Sequence, residues 1–376
     1  MKVDQPIRIL QVVLGLNQTG IDNVVMDLYR HIDRTRFQFD FVVFGSDEGT
    51  HEREVTQLGG RIFHVPTRTS NPWRSIQALG RIFKDHSYKI IHSHQDCLSG
   101  QVLKIAKKCG VAVRVAHAHT TNLPSGWRRH YYRINKNSIP KYANFFIGCT
   151  ERSGRWMFGE DVVNSPKFEV LKNAIDTRRF SYDDKLRSNY RKKLGCEEAT
   201  VVIHIGRLAY AKNHTFLFKI FKEYRNLDAR AQLLIIGDGE LRAALKQEVK
   251  DQGLTDSVSF MGARNDIPEL LNAADIMVMP SLFEGLPLTC IESQTAGLKT
   301  LISDTIDPIV VFTSIIESRS LEHSPKEWAD HMHSMLQDDL PRRNFVHEAI
   351  AARFDITNQA EHLMELYEYY LNGVVS

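Results

Sequence analysis

The chain has 376 residues, of which 43% are hydrophobic and 25% charged, values ordinary for a soluble enzyme with two domains. The formal net charge of +3 is too small to indicate a nucleic-acid partner. The five cysteines are scattered without metal-ligand spacing, which argues for a reducing compartment and against a disulfide framework or zinc site.

The N-terminal apolar run, residues 7–16, is interrupted by Arg8 and Gln11 and favours a first strand over a signal peptide. No segment approaches the roughly 18 consecutive apolar residues that a membrane-spanning helix needs. We therefore expect a cytoplasmic protein, with any membrane contact peripheral and at the inner face.

Strands and helices alternate through the first half, which predicts a doubly wound parallel sheet. The loop after the first strand ends at Gly20 and leads into a helix over residues 21–31. A glycine there can bring backbone close to a ligand, although a plain turn is the alternative. The predicted strands of this half span residues 7–13, 39–44, 61–65, 90–94, 111–116 and 144–149.

Four histidines lie at the ends of two of these strands. His92 and His94 close the strand at residues 90–94, and His117 and His119 follow the strand at residues 111–116. Carboxyl ends of parallel strands form the functional edge of such a sheet. We interpret His92 and His94 as structural, and we leave a functional or a structural role open for His119, or for His117 if the register is shifted by two. No carboxylate joins them at ligand spacing, so a metal site is not expected.

Residues 127–141 combine cations with aromatic side chains. Such a surface suits anionic lipid headgroups, and an ordinary solvated helix is the alternative. The residues concerned are Trp127, Arg128, Arg129, Tyr131, Tyr132, Arg133, Lys136 and Lys141.

The second half repeats the alternation, after a predicted crossover at residues 164–176. A charged helix over residues 183–194 begins it, and the predicted strands span residues 201–205, 232–236, 258–261, 276–280 and 299–303. Gly206, Arg207 and Lys212 follow the first of these strands. Two cations fixed on one loop can neutralise a diphosphate leaving group.

The stretch Ser281–Glu292 organises this half. It begins where a buried strand ends, and Pro287 suits the first position of a helix that runs to about residue 296, where Gly297 stops it. Free N–H groups at the start of that helix could bind phosphates. Glu284 lies on the loop, and Glu292, eight positions later and about two turns (~11 Å) along, could bind a ribose diol. Two ordinary surface glutamates are the alternative.

The spacing of Glu284 and Glu292 resembles the Glu-x7-Glu motif of retaining glycosyltransferases of family 4. Gly206-Arg207 with Lys212-Asn213 resembles a second family motif, and Gly237-Asp238-Gly239-Glu240 resembles a third. The Gly20 loop departs from the family pattern GGxE, because Thr19 replaces its first glycine. A narrower resemblance, to members that build bacterial exopolysaccharide or capsule, rests on residues 30–35, 39–41 and 116–119.

This resemblance implies the GT-B fold: α/β, with two Rossmann-like doubly wound domains facing across a cleft. It places an acceptor domain at residues 1–172 and a donor domain at residues 173–354, with a last helix, residues 355–376, returning to the first domain. The implied activity is transfer of a sugar, with retention of anomeric configuration, from a nucleotide sugar, most often a UDP-sugar, to a glycan or lipid-linked acceptor in exopolysaccharide or capsule synthesis.

The resemblance also implies residue roles. Arg207 and Lys212 would stabilise the diphosphate, Glu292 would bind ribose, and His119 would lie over the reacting centre. The remaining candidates contact the donor: Glu284 and the N–H groups of Gly285 and Leu286 at the sugar and phosphate, Gly20 and Gly206 by close backbone approach, and Arg264 near the base.

No metal or nucleic acid is expected, since no Asp-x-Asp follows a strand and the cations take the diphosphate charge. A nucleotide-sugar epimerase of the same fold, or an accessory partner without turnover, remains as an alternative. A glycoside hydrolase fits poorly, because it needs two carboxylates across one bond.

Overall fold

A computed structural model describes residues 5–17, 20–120, 129–338 and 341–375. These residues form two compact units. The first runs to Ala174 and resumes at Ile356, and the second spans Ile175–Asp355. The predicted domain boundaries, after residues 172 and 354, lie two residues and one residue before these positions.

The first unit is built on a seven-stranded parallel sheet in the order β3-β2-β1-β4-β5-β6-β7. Its strands are mostly apolar because helices cover both faces of the sheet. They are β1 Ile7–Val12, β2 Phe37–Phe44, β3 Ile62–Val65, β4 Ile90–Ser93, β5 Val113–Ala118, β6 Phe145–Gly148 and β7 Phe168–Val170.

In the part of this unit that the structure describes, eight helices flank the sheet. The last helix of the chain belongs to this unit and packs against its first helix. The helices are α1 Gly20–His31, α2 Glu52–Gln57, α3 Pro72–Asp85, α4 Ser99–Lys108, α5 Arg129–Tyr142, α6 Glu151–Phe158, α7 Glu160–Val163 and α15 Ile356–Val375.

The second unit has a six-stranded parallel sheet in the order β10-β9-β8-β11-β12-β13. Its strands are β8 Val201–Ile205, β9 Gln232–Ile236, β10 Val258–Gly262, β11 Ile276–Met279, β12 Lys299–Ser303 and β13 Ile316–Arg319. Its helices are α8 Asp184–Leu194, α9 His214–Leu227, α10 Arg242–Asp251, α11 Ile267–Ala273, α12 Leu288–Thr295, α13 Pro325–Leu336 and α14 Val346–Ala351.

Each unit is therefore a doubly wound α/β domain, as predicted. In both sheets the strand order reverses beside the first strand: between β1 and β4 in the first, and between β8 and β11 in the second. Ligands of open α/β sheets bind outside the carboxyl ends of the strands at such a switch point. The strand order thus selects the loops that can hold a ligand.

Two edge strands were not predicted. β7 lies inside the segment taken as a crossover, and β13 lies in a stretch to which no element was assigned. β7 has only three residues, and β13 reads Ile-Glu-Ser-Arg with a single buried side chain, Ile316. An edge strand buries few side chains and therefore contains few apolar residues. Neither strand could be recognised from the hydrophobic pattern for this reason.

None of the helices in the described part of the chain is both long and apolar enough to cross a bilayer.

Candidate functional site

The candidate site of the second unit is formed by two loops at its switch point. One loop follows β8 and carries Gly206, Arg207 and Lys212, and the other follows β11 and carries Glu284. β8 and β11 are direct neighbours in the sheet. Residues more than 70 positions apart in sequence therefore meet at one edge.

Hydrogen bonds fix these loops to each other. The N–H of Leu282 donates to the carbonyl of Ala211 (2.8 Å), and Asn213 Nδ2 donates to the carbonyl of Pro280 (3.1 Å). Asn213 adopts the left-handed conformation, with φ 55°, which asparagine tolerates better than most residues. On the other side, the hydroxyls of Ser303 and Thr305 donate to the carbonyl of Ser281. This clamp explains the asparagine of the motif, which sequence reasoning had not assigned to the site.

A largely buried ion pair lies at the centre of the site. Lys212 Nζ donates to Glu284 Oε1 at 2.6 Å, and the two side chains are 16% and 12% exposed. A Cβ on Gly206 would lie 2.8 Å from Lys212 Cε, so the absence of a side chain at 206 makes room for the lysine. Sequence reasoning placed both charges in one site but did not predict that they pair.

Arg207 lies at the head of the same loop but points to solvent. Its side chain is 74% exposed and its Nη2 lies 3.0 Å from Glu240 Oε2. Glu240 follows the Gly237-Asp238-Gly239 turn, which crosses the Arg207 loop closely. A Cβ on Gly237 would lie 2.0 Å from the carbonyl oxygen of Gly206, so the glycine turn is a steric requirement of the crossing.

Glu292 lies nearer the start of its helix than predicted. α12 begins at Leu288, and Pro287 precedes it with an extended ψ of 103°, so Pro287 is the capping residue and not the first helical one. Glu292 is therefore about one turn, ~6 Å, into the helix, because residues 284–287, which the predicted two turns included, lie outside it. The predicted stop is confirmed, because Gly297 has φ +63° just after the helix.

The charges of Lys212, Glu284 and Glu292 all act on the thiol of Cys290, which is buried. Burial raises the pKa of Cys290, the charges of Glu284 and Glu292 raise it further, and Lys212 lowers it. The charges of Lys212, Glu284 and Glu292 thus act on one buried residue, and the Lys212–Glu284 pair is in direct contact.

Arg264, the candidate for the base, is engaged within its own loop. Its Nε donates to Asp266 Oδ1 at 2.7 Å, and its Nη2 makes a second bond to the same carboxylate. This arginine lowers the pKa of Asp266, to which Tyr190 also donates a hydrogen bond.

The backbone bends at Gly285 and Leu286, just before Pro287 and the start of α12.

The first unit has its own polar cluster at its switch point. His92 and His94 stack with ring centroids 4.2 Å apart, and His117 and His119 stack at 4.0 Å. The two pairs also stack on each other, since the His92 and His117 centroids are 5.2 Å apart. His117 lies within β5, and His119 is the first residue after it. Burial lowers the pKa of all four rings, to about 3 for His92 and His119.

A hydrogen-bonded chain joins three of these histidines to the last helix. His119 Nε2 lies 2.9 Å from His94 Nδ1, and His94 Nε2 lies 2.9 Å from Gln11 Oε1. Gln11 Nε2 donates to the hydroxyl of Tyr367 (3.1 Å), which lies 2.7 Å from His92 Nδ1. The sequence did not indicate Gln11 and Tyr367, because a glutamine in a strand and a tyrosine in a helix carry no local signal of a partner more than 80 residues away.

The same histidines could in principle hold a metal ion. Ring nitrogens of His92, His94 and His117 lie within 4.8 Å of one another. However, both nitrogens of His94 and one of His92 are already hydrogen-bonded. The arrangement favours a neutral hydrogen-bonded stack, and the absence of a metal stays a prediction.

Gly20 is the first residue of α1, and a Cβ placed on it would meet no atom of the described residues within 4 Å. Among those residues, the space next to Gly20 is open. Thr19, which replaces the family glycine, lies outside the described residues, as do Trp127 and Arg128 of the predicted membrane segment.

Comparison with known proteins identifies the family of this chain. The family described as "Glycosyl transferases group 1" matches residues 187–352, and "Glycosyl transferase 4-like domain" matches residues 19–174. EpsF of Bacillus subtilis (strain 168), which bears the name of a glycosyltransferase, is 31% identical over 368 residues, 96% of each chain. The chain belongs to the group 1, family 4 glycosyltransferases. As a glycosyltransferase it uses a nucleotide sugar, and the resemblance drawn from its motifs is confirmed.

Two further proteins are similar to this glycosyltransferase. The UDP-Gal:alpha-D-GlcNAc-diphosphoundecaprenol alpha-1,3-galactosyltransferase of Escherichia coli is 28% identical over 316 residues, 79% of each chain. The crystal structure of Anabaena Alr3699/HepE in complex with UDP matches with a TM-score of 0.80 at 17% identity, covering 97% of this chain and 100% of that one. This likeness, with the two Rossmann-like units, confirms the predicted GT-B fold.

The ion pair yields a first prediction. Lys212→Met leaves the Glu284 carboxylate buried without its partner, so we expect the free energy of unfolding to fall by about 3 kcal/mol. The double variant Lys212→Met with Glu284→Gln should lose clearly less free energy of unfolding than the sum of the losses in the two single variants. Urea unfolding of all four proteins checks this, and additive losses would show that the two groups do not interact.

The histidine stack yields a second prediction. The unfolded chain binds a proton on His117 as the pH falls through about 6.5, whereas the folded protein does not, so stability is lost on acidification. When the pH is lowered from 7.5 to 5.5, the free energy of unfolding of His117→Leu should therefore fall by about 1.4 kcal/mol less than that of the parent. Urea unfolding at both pH values measures the difference, with His347→Leu as the control at an exposed site. Equal losses in the parent and His117→Leu would refute it.

Proposed function

We propose that this glycosyltransferase transfers a sugar from a UDP-sugar to a lipid-linked glycan acceptor, with retention of anomeric configuration, in exopolysaccharide or capsule synthesis. The observation that carries the proposal is the gathering of Arg207, the Lys212–Glu284 pair and Glu292 at one switch point. Two cations, two carboxylates and the start of a helix match the parts of a nucleotide sugar: diphosphate, ribose, and sugar hydroxyls.

In this proposal each group takes one part of the donor. Arg207 and Lys212 bind the diphosphate, and the exposed Arg207 can turn from Glu240 to a phosphate without burial cost. The N–H groups of Gly285 and Leu286 lie just before α12, where its dipole favours negative charge. Glu292 binds the ribose hydroxyls. Glu284 holds Lys212 in place and accepts hydrogen bonds from the donor sugar.

The reaction is a displacement at the anomeric carbon. The acceptor hydroxyl oxygen forms a bond to that carbon on the leaving-group side, the bond from the carbon to the phosphate oxygen breaks, and its electron pair leaves with UDP. The acceptor proton passes to a phosphate oxygen. Arg207 and Lys212 stabilise the charge that develops on the diphosphate, which is the interaction that strengthens most in the transition state. In this proposal no metal is required, and His119 contacts the donor sugar.

Support for the acceptor comes from the relatives. The Escherichia coli protein is named for a diphosphoundecaprenol-linked acceptor and a UDP-sugar donor, and the Anabaena structure is titled as a complex with UDP. An epimerase would release sugar without an acceptor, and an accessory partner would bind UDP without turnover. Gly20 and Arg264 keep their proposed donor contacts, with Gly20 leaving open space for a ligand.

A surface of the first unit suits an anionic membrane, where a lipid-linked acceptor resides. Tyr131 and Ile134 on α5 are 44% and 56% exposed, and Trp73 and Ile76 on α3 are 78% and 45% exposed. Gln101 on α4 donates to the Tyr131 hydroxyl and so ties α4 to α5. A groove of about 830 Å³ between α3 and α4 is lined by Arg81, Lys84, Lys104 and Lys108. Apolar side chains ringed by cations favour adsorption to anionic lipid, at the inner face of the membrane.

Donor binding is tested with UDP alone. We expect Arg207→Ala to weaken UDP binding by roughly 10- to 100-fold, since a hydrogen bond to a charged group contributes about 1.5–3 kcal/mol. Isothermal titration calorimetry measures it, with Arg230→Ala as the control at an exposed site before β9. Unchanged affinity in Arg207→Ala would remove its phosphate role.

Turnover needs a separate assay with a UDP-sugar and a diphosphoundecaprenol-linked acceptor. Glu284→Ala should abolish most transfer, and the anomeric coupling constant of the product, read by NMR, reports retention or inversion. Release of an epimer without acceptor would favour the epimerase, and UDP binding without any turnover would favour the accessory role.

Membrane contact is tested by sedimentation with vesicles of anionic or neutral lipid. Replacing Arg129 and Arg133 by glutamine should weaken binding to anionic vesicles about 30-fold, from roughly 1 kcal/mol for each basic residue near the surface. Arg230→Gln with Lys250→Gln, two exposed changes in the second unit, keeps the same net charge as a control. Equal losses in both double variants would show a bulk charge effect and not a membrane-binding surface.

A further inference from the structure

The hydrogen-bonded chain of the first unit connects the last helix to His119. We propose that Tyr367, Gln11 and His94 are positioning residues that fix the protonation of His119, with its proton on Nε2 and its Nδ1 lone pair free to accept a hydrogen bond. The inference rests on the proposed function in one respect, the role of His119 at the donor sugar.

The direction of the chain follows from its middle member. Gln11 has one donating and one accepting end, and its Nε2 donates to the Tyr367 hydroxyl. Having accepted that bond, the hydroxyl has one hydrogen to give, which goes to His92 Nδ1. The other end of Gln11, Oε1, can only accept. His94 must therefore carry a hydrogen on Nε2.

The direction then passes through His94 to His119. A neutral imidazole has one donor and one acceptor, so His94 with its hydrogen on Nε2 presents a lone pair on Nδ1. His119 Nε2, 2.9 Å away, must donate to it. Burial lowers the pKa of His94 and keeps the ring neutral, which holds the chain in this direction. His119 Nδ1 is left as an acceptor, and it is buried without a hydrogen-bond partner among the described residues.

The frame around the chain is rigid at both ends. The backbone N–H of His119 donates to Asp96 Oδ1 at 2.8 Å, and Asp96 itself has the left-handed φ of 45°. At the other end, the ring of Tyr367 packs against Phe37 and Phe39, with centroids 5.7 and 6.2 Å away. Both the main chain and the ring of His119 are thus oriented by other residues. Such outer contacts decide which face and which nitrogen a functional histidine presents.

The direction of this hydrogen-bonded chain can be tested by spectroscopy. In Gln11→Glu, a carboxylate of nearly the same shape replaces the amide, and its charge favours a second proton on His94. His94 Nδ1–H would then donate to His119 Nε2, so the proton of His119 must move to Nδ1. We expect ¹⁵N spectra of histidine-labelled full-length protein at pH 7.5 to show His119 protonated on Nε2 in the parent and on Nδ1 in Gln11→Glu.

Two controls separate this effect from a general loss of structure. Gln77→Glu makes the same chemical change at an exposed position on α3 and should leave the His119 signals unchanged. Tyr367→Phe keeps the packed ring and removes the hydroxyl, so Gln11 can rotate and His119 should populate both protonation forms. If Gln11→Glu does not fold, the Tyr367→Phe spectrum decides alone.

Transfer activity gives the second readout. Gln11→Glu should lower kcat by roughly 10- to 100-fold, a loss typical when the group that orients a histidine is changed, with KM for the donor within about twofold. The proposal is overturned if His119 keeps its proton on Nε2 in Gln11→Glu, or if it is protonated on Nδ1 in the parent. If His119→Ala leaves transfer unchanged, the role of His119 at the donor is wrong, and the ¹⁵N spectra still decide the chain.

Discussion

The buried pairing of Lys212 with Glu284 is the interaction on which the candidate site of the second unit depends. An ammonium and a carboxylate taken out of water destabilise a protein unless each finds the other in good geometry. The loops that carry them come from strands 70 residues apart and are bound to each other through Asn213 and Leu282. The clamp holds two charges in fixed positions at the switch point, which is the preorganisation that the proposed diphosphate site needs.

The first unit solves a similar problem with neutral groups. Four imidazoles within van der Waals distance could not all be charged, and burial keeps them neutral. Their polarity is satisfied in part by Gln11 and by Tyr367 from the far end of the chain. The last helix therefore does more than cover apolar surface: the hydroxyl of Tyr367 takes part in a hydrogen-bonded chain that ends at a candidate functional residue.

Much of the architecture could be predicted, because buried parallel strands have continuous apolar runs and helices have a clear period. The strands that were missed, β7 and β13, are edge strands with few buried side chains. The start of α12 was misplaced by one residue, since a proline can occupy either the cap or the first turn, and this brings Glu292 about 1.5 Å nearer the start of the helix. The pairing of Arg264 with Asp266, two residues away, also escaped a search for ligand contacts.

By itself the sequence determined the class of fold, the family, and the residues of the second unit that carry charge to the switch point. Motif spacing suffices for this because each motif is one loop between a strand and a helix. Only the tertiary structure decided how those charges are used: that Lys212 is held by Glu284 while Arg207 faces solvent, and that His94 belongs with His119 through Gln11 and Tyr367. The physical reason is that hydrogen bonds and ion pairs join side chains from separate strands, and their partners are set by strand order and register, which no local pattern records.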